Sequence, residues 1–145
     1  MFPKKIDQDY VNILLKEEEG LKLEYKQQIS SQEKIAKTLS AMSNTVGGLI
    51  LIGISDQRKI VGIDPEEERF MITAANETFC LPKANIDLHA VSIDPEGLDD
   101  EEKCVLLVIV HPMQGEAVQV RQSDGTLKTY RRVGDKSLAS CVGFV

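Results

Sequence analysis

Three carboxylates stand out for the chemistry they could share in this 145-residue chain: Glu19, Glu24 and Asp56. Carboxylate oxygens are natural ligands of a divalent cation, and phosphodiester-cleaving enzymes use such sets to hold a metal at the scissile bond. Glu24 stands between Lys22 and Lys26 in the alternating segment Leu21-Lys22-Leu23-Glu24-Tyr25-Lys26. Glu19 lies five residues earlier, ahead of Gly20, and Asp56 follows an apolar run that ends at Ile54. The competing reading is that Glu17-Glu18-Glu19 is a solvated acidic run, Glu24 pairs with its lysines, and Asp56 is an ordinary turn residue.

A second set is basic. Arg121, Lys128, Arg131, Arg132 and Lys136 surround Tyr130, a combination that can grip a phosphate backbone and stack a base. Strand alternation divides these cations between two faces, so a solvated edge hairpin competes with a binding patch. Gly47-Gly48 could expose backbone amides to an anion. It precedes the apolar strand, and no Gly-Lys-Ser/Thr follows it, so it is not a P-loop. A helix stop and tight turn explain it better. His89 and His111 are not spaced as a ligand pair, and no Ser-His-Asp or Cys-His arrangement stands out.

The elements that must position these groups follow from pattern. Residues 6–16 have helical spacing of Tyr10, Ile13 and Leu14, with Asp7 and Asp9 at the positive end. In residues 21–26, Leu21, Leu23 and Tyr25 are expected to face the core, and Lys22, Glu24 and Lys26 to face away. Ser30, with Glu33 three residues on, fits a capping box for a helix that buries Ile35, Leu39 and Met42. Residues 49–54 read as a central strand, 55–58 as a turn, and 59–63 as its returning hairpin partner. Asp64-Pro65 followed by Glu66, Glu67 and Glu68 opens a helix running to about Phe79. Residues 86–93 and 103–110 read as strands. Residues 117–122 and 127–133 form a hairpin around Asp124-Gly125. The expected architecture is α+β, a mixed, largely antiparallel sheet of five to seven strands with two or three helices, in one domain spanning residues 1–145.

Bulk composition is that of an ordinary globular chain, 42% hydrophobic and 28% charged. No run approaches the roughly 18 apolar residues of a membrane helix. The first residues lack an apolar signal region, so a cytoplasmic protein without membrane partners is expected. Cys80, Cys104 and Cys141 are odd in number and far apart, which argues against a disulfide framework or a zinc site. The net charge of -6 is unlike that of a dedicated nucleic-acid binder. The acid is local, however. Six carboxylates lie between Asp94 and Glu102, whereas Arg121 to Lys136 holds five basic residues and two acidic ones. The question is therefore one of patches and is not settled by the total.

Taken together, several of these segments resemble the Schlafen-type Alba-like domain. They are Glu19-x4-Glu24-Tyr25-Lys26, Ala41-Met42-Ser43-Asn44-Thr45-Val46-Gly47-Gly48, Leu51-Ile52-Gly53-Ile54-Ser55-Asp56, Ile60-Val61-Gly62-Ile63 and Thr129-Tyr130-Arg131-Arg132-Val133-Gly134. The resemblance covers roughly Glu17 to Ser140. It implies a nucleic-acid-binding module, regarded as DNA-binding and often joined to a helix-turn-helix in transcriptional regulators. On this chain Arg121, Lys128, Tyr130, Arg131 and Arg132, with Lys22 and Lys26, are the expected contacts. The resemblance also implies an alternative. In vertebrate Schlafens a related core is a metal-dependent endoribonuclease acting on structured RNA such as tRNA, through two glutamates and an aspartate. These match Glu19 and Glu24, while the aspartate falls on Ser55 by the literal pattern, with Asp56 one residue later. Magnesium or manganese would be the cofactor. Two lobes form the groove there, so one lobe here implies a homodimer. An older description of the family as a divergent AAA-type ATPase implies ATP, which no phosphate-loop motif here supports. A protein-interaction module is the third alternative.

Overall fold

The computed structural model describes residues 5–98 and 101–140, so Cys141 and the Asp99 and Asp100 portion of the acidic stretch lie outside the described residues. Three helices begin where the sequence supplies a cap. Helix α1 (Gln8–Leu14) starts at Asp7, whose side chain accepts from the Tyr10 amide. Helix α2 (Gln32–Ser43) starts at Ser31, which accepts from the Lys34 amide at 3.2 Å. The cap is thus one residue later than Ser30, and the third helical position holds Lys34, which cannot make the reciprocal bond of a capping box. Helix α3 (Pro65–Phe79) has the expected bounds, with Asp64 accepting from the Glu66 and Glu67 amides. None of these helices is long and apolar enough to cross a membrane.

Among the described residues, eight strands form two sheets of four. The first has the order β1 (Leu23–Lys26), β2 (Gly48–Ile52), β5 (Lys103–Val110), β4 (Ile86–Ile93), with β1 parallel to β2 and the remaining pairs antiparallel. The second is antiparallel throughout, in the order β3 (Cys80–Leu81), β6 (Gln119–Arg121), β7 (Leu127–Val133), β8 (Lys136–Ala139). The α+β class is as expected, but the strands are divided between two sheets instead of forming one. Alternation reports which face a residue takes and carries no information on which strand lies beside it. The expected return strand at 59–63 is reduced to a single bridge between Ile54 and Ile60.

Both sheets share one core. Ile50 and Ile52 of β2, Leu106 and Val108 of β5, and Val120 and Tyr130 of the second sheet pack with α2 and α3. Leu51, Val105 and Leu107 face the other way, against Val11 and Leu14 of α1. The polar end of α2 ties the helix to the second sheet. The Asn44 amide group donates to the Val118 and Tyr130 carbonyls at 2.9 and 3.0 Å, and its oxygen accepts from the Val118 amide at 2.8 Å. Ser40 donates to the Val118 carbonyl and accepts from the Tyr130 amide, and Thr45 accepts from the Arg132 amide. Gly47 then turns the chain at φ +76°, where an added Cβ would lie 2.6 Å from the Val110 carbonyl oxygen. Glycine is required here for both conformation and space.

Candidate nucleic-acid interface and carboxylate cleft

Strand β1 is the edge of the first sheet. The Lys22 and Lys26 carbonyls accept from Leu49 and Gly53 of the β2 segment, so by alternation Leu23 and Tyr25 turn their polar groups to the open edge. Two side chains meet them there. The Glu19 carboxylate accepts from the Tyr25 amide at 2.9 Å. The Arg132 guanidinium, arriving from β7, donates to the Leu23 carbonyl and twice to the Gly20 carbonyl. Its Nη1 also donates to Glu24 Oε1 at 2.6 Å. An open strand edge invites pairing with other chains, and here two charged side chains occupy its donors and acceptors.

This geometry corrects the reading of Glu24. Its side chain is on the face opposite Leu23, as alternation requires, but that face looks onto β7 and not onto water. Glu24 is only 8% exposed, and Arg132 only 4%. Lys26 approaches the other carboxylate oxygen at 3.4 Å, so part of the expected lysine pairing holds, while Lys22 is exposed. Leu21, expected in the core, is exposed.

Glu19 and Asp56 do come together, in a cleft of about 290 Å³ also lined by Glu18, Ser55, Arg58 and Asp135. The β2 turn supplies Ser55 to Arg58, and the β7–β8 turn supplies Asp135. Arg58, which adopts φ 59°, donates to the Leu15 and Glu17 carbonyls, lies 3.8 Å from Glu18 and sits 5.9 Å from the Tyr25 ring centre. The Tyr25 hydroxyl is 2.6 Å from both the Leu14 and Glu17 carbonyls, and its one hydrogen serves one of them at a time. Burial raises its pKa above the ordinary 10.0; Arg58 opposes this, and Glu17 and Glu19 add to it. The phenol therefore remains a donor through the neutral range. Glu24 is not part of this cleft. Among the described residues no three His, Cys, Asp or Glu side chains are grouped so as to hold a metal ion. The donor set thus does not fit a three-carboxylate cation site: Glu24 is engaged by Arg132, and Ser55 occupies the position where the family pattern has aspartate.

The basic hairpin is also sorted by the structure. Tyr130 is 6% exposed, with Lys37 Nζ 5.8 Å above its ring, so it cannot stack a base as expected. Arg132 is likewise removed from any phosphate contact by its burial. Arg121, Lys128, Arg131 and Lys136 are exposed. Register places Arg121 beside Leu127, Arg131 beside Leu138, and Val133 beside Lys136 on the face of the second sheet turned away from α2. Lys128 is on the α2-facing side, opposite Val120, next to the β6–β7 turn. The four strands of this sheet contain no Asp or Glu. Asp124, in the β6–β7 turn, is held below its ordinary range by hydrogen bonds from the Thr126 hydroxyl and amide. His111 lies 2.7 Å from Asp87.

The roles of Arg58 and Asn44 were not readable from their neighbours in sequence. Both act on segments tens of residues away, and only the Ser43-Asn44-Thr45 signature hinted that this helix end was special.

Residues 19–140 match the family model described as Schlafen, AlbA_2. Among solved structures, the chain is similar to the DIP2311 protein from Corynebacterium diphtheriae, at 20% identity and a TM-score of 0.48. The match covers 83% of this chain and 22% of that one, so this chain spans under a quarter of that protein's length. No curated protein matches the chain.

Proposed function

The chain belongs to the Schlafen, AlbA_2 family, and from that premise we propose that it binds nucleic acid through the outer face of its second sheet. The observation that carries this reading is charge segregation. A chain of net charge -6 has one sheet without a single acidic residue in its strands, and Arg121, Arg131 and Lys136 stand on the face of that sheet that no helix covers among the described residues. Phosphate contacts from such cations supply most of the affinity in sequence-independent binding. The finer role of a DNA-binding transcriptional regulator rests on resemblance alone, and no residue on this face adds to it.

The test is anisotropy of labelled oligonucleotides titrated with wild type and with the Arg121→Glu/Arg131→Glu variant at several salt concentrations. Wild type should lose affinity steeply with salt. The variant should bind more weakly, with a slope smaller by about 0.7–0.9 for each phosphate it no longer neutralises. Equal affinity and equal slope in both proteins would refute the assignment. The endoribonuclease alternative is less favoured, because Glu19, Glu24 and Asp56 do not share one cleft. No cleavage of tRNA dependent on magnesium or manganese and abolished by Glu19→Gln is expected.

A further inference from the structure

We infer that the outer face of the second sheet takes single-stranded rather than duplex nucleic acid, an inference that rests on the nucleic-acid reading above. The same face that presents the cations also leaves four large aliphatic side chains open. Leu81, Leu127, Val133 and Leu138 are 49%, 39%, 58% and 47% exposed. Their neighbours of opposite parity, Cys80, Val120 and Tyr130, are buried against α2, so the division between inner and outer face is clear.

The pairing register gives these side chains an order. Three cross-strand rows each hold one cation and one aliphatic group: Arg121 with Leu127, Arg131 with Leu138, and Lys136 with Val133. Directly opposed residues on one face of an antiparallel pair have Cβ atoms about 5 Å apart. Along β7 the rows at Leu127, Arg131 and Val133 are four and then two residues apart, roughly 13 and 7 Å. Each row therefore offers an anion-binding group next to an apolar surface, repeated along a strand.

A duplex does not complement that repeat. Its phosphates and sugars line the exterior and its base faces are stacked inside, so the aliphatic side chains would find base edges in the grooves but no open base face. An unpaired strand offers both parts at once: phosphates for Arg121, Arg131 and Lys136, and the flat apolar faces of unstacked bases for the leucines and valine. Between the rows, Gln119 and Thr129 pair across the same face and supply neutral hydrogen-bonding groups without adding charge. Among the described residues the face has no aromatic side chain, so base contact here is weaker than true stacking, and binding should remain strongly salt dependent.

The experiment compares an unpaired oligonucleotide of about 15 residues, as DNA and as RNA, with the corresponding duplexes, a length that such grooves accommodate. Wild type, Leu127→Asn/Leu138→Asn and Arg121→Glu/Arg131→Glu are titrated with each. All four positions are exposed, and unchanged melting temperatures confirm that the variants fold. Wild type should prefer the single strand by about ten-fold or more, and the Asn variant should lose most of that preference while keeping whatever duplex affinity exists. Duplex binding equal to or tighter than single-strand binding, still sensitive to the Arg variant, would overturn the single-strand inference and leave the nucleic-acid reading standing. Failure to bind any of the ligands would overturn both. Self-association abolished by the Asn variant, without nucleic-acid binding, would instead make this face a contact between copies and would also overturn the inference.

Discussion

Glu24 and Arg132 show what a residue's chemistry gains from its partner. Removing one member of a buried, hydrogen-bonded ion pair leaves the other charge without compensation, typically at a cost of about 3–5 kcal/mol. Arg132 also holds the Gly20 and Leu23 carbonyls, so its removal reopens the β1 edge. Arg132→Ala should therefore lower the unfolding free energy in urea by about 3 kcal/mol or more. The neighbouring Arg131→Ala should change it by less than about 0.5 kcal/mol. Equal effects of the two would show that the β7 arginines do not play different roles. Cys80 gives a second prediction at this scale. Burial pushes its thiol up to about 12 from an ordinary 9.0. A raised folded-state value means that the contribution is complete below pH 9 and is lost as pH rises towards 12. Cys80→Ala should accordingly lose less stability than wild type between those limits, as followed by urea midpoints. Of all this, alternation revealed the parity of Glu24 and Lys26. It could not reveal that their side of β1 faces a second layer, because parity distinguishes two faces and does not say what covers either.

Boundaries of individual elements were legible where start and stop signals are local. Helix α3 begins at Asp64-Pro65 and ends at Phe79, and β4, β5 and β7 span the expected residues, because caps, turns and apolar runs act over a few positions. The assembly of those elements was not legible. Asn44 bonds Val118 and Tyr130, 74 and 86 residues away, and that network orients β7 so that Tyr130 and Arg132 turn inward and Arg131 outward. The Asn44→Ala substitution removes four side-chain hydrogen bonds, those to Ser40, the Val118 amide and the Val118 and Tyr130 carbonyls. It takes the side-chain partner from the Val118 amide and the Tyr130 carbonyl, at about 1–3 kcal/mol for each group left unsatisfied. We expect a destabilisation of about 2–3 kcal/mol, with amide hydrogen exchange at Val118 accelerating more than at Leu107 in the first sheet. Uniform acceleration across both sheets would show that Asn44 has no special hold on the hairpin.

Across the whole molecule, the division of charge matters more than its sum. The cleft lined by Glu18, Glu19, Asp56 and Asp135 and the sheet whose strands contain no acid are neighbours, and the β7–β8 hairpin contributes to both. The fold therefore divides the candidate residues in a way that their order in sequence did not show. Arg121, Arg131 and Lys128 remain at the surface, Arg132 and Tyr130 became structural, and Glu19 and Asp56 met without Glu24. The most direct test of the central claim is residue-resolved NMR of the labelled chain titrated with an unpaired oligonucleotide. Amide shifts should concentrate at Arg121, Leu127, Arg131 and Leu138, with the Glu19, Asp56 and Arg58 region undisturbed. Shifts clustered around that carboxylate cleft, with the outer face of the second sheet silent, would contradict that claim.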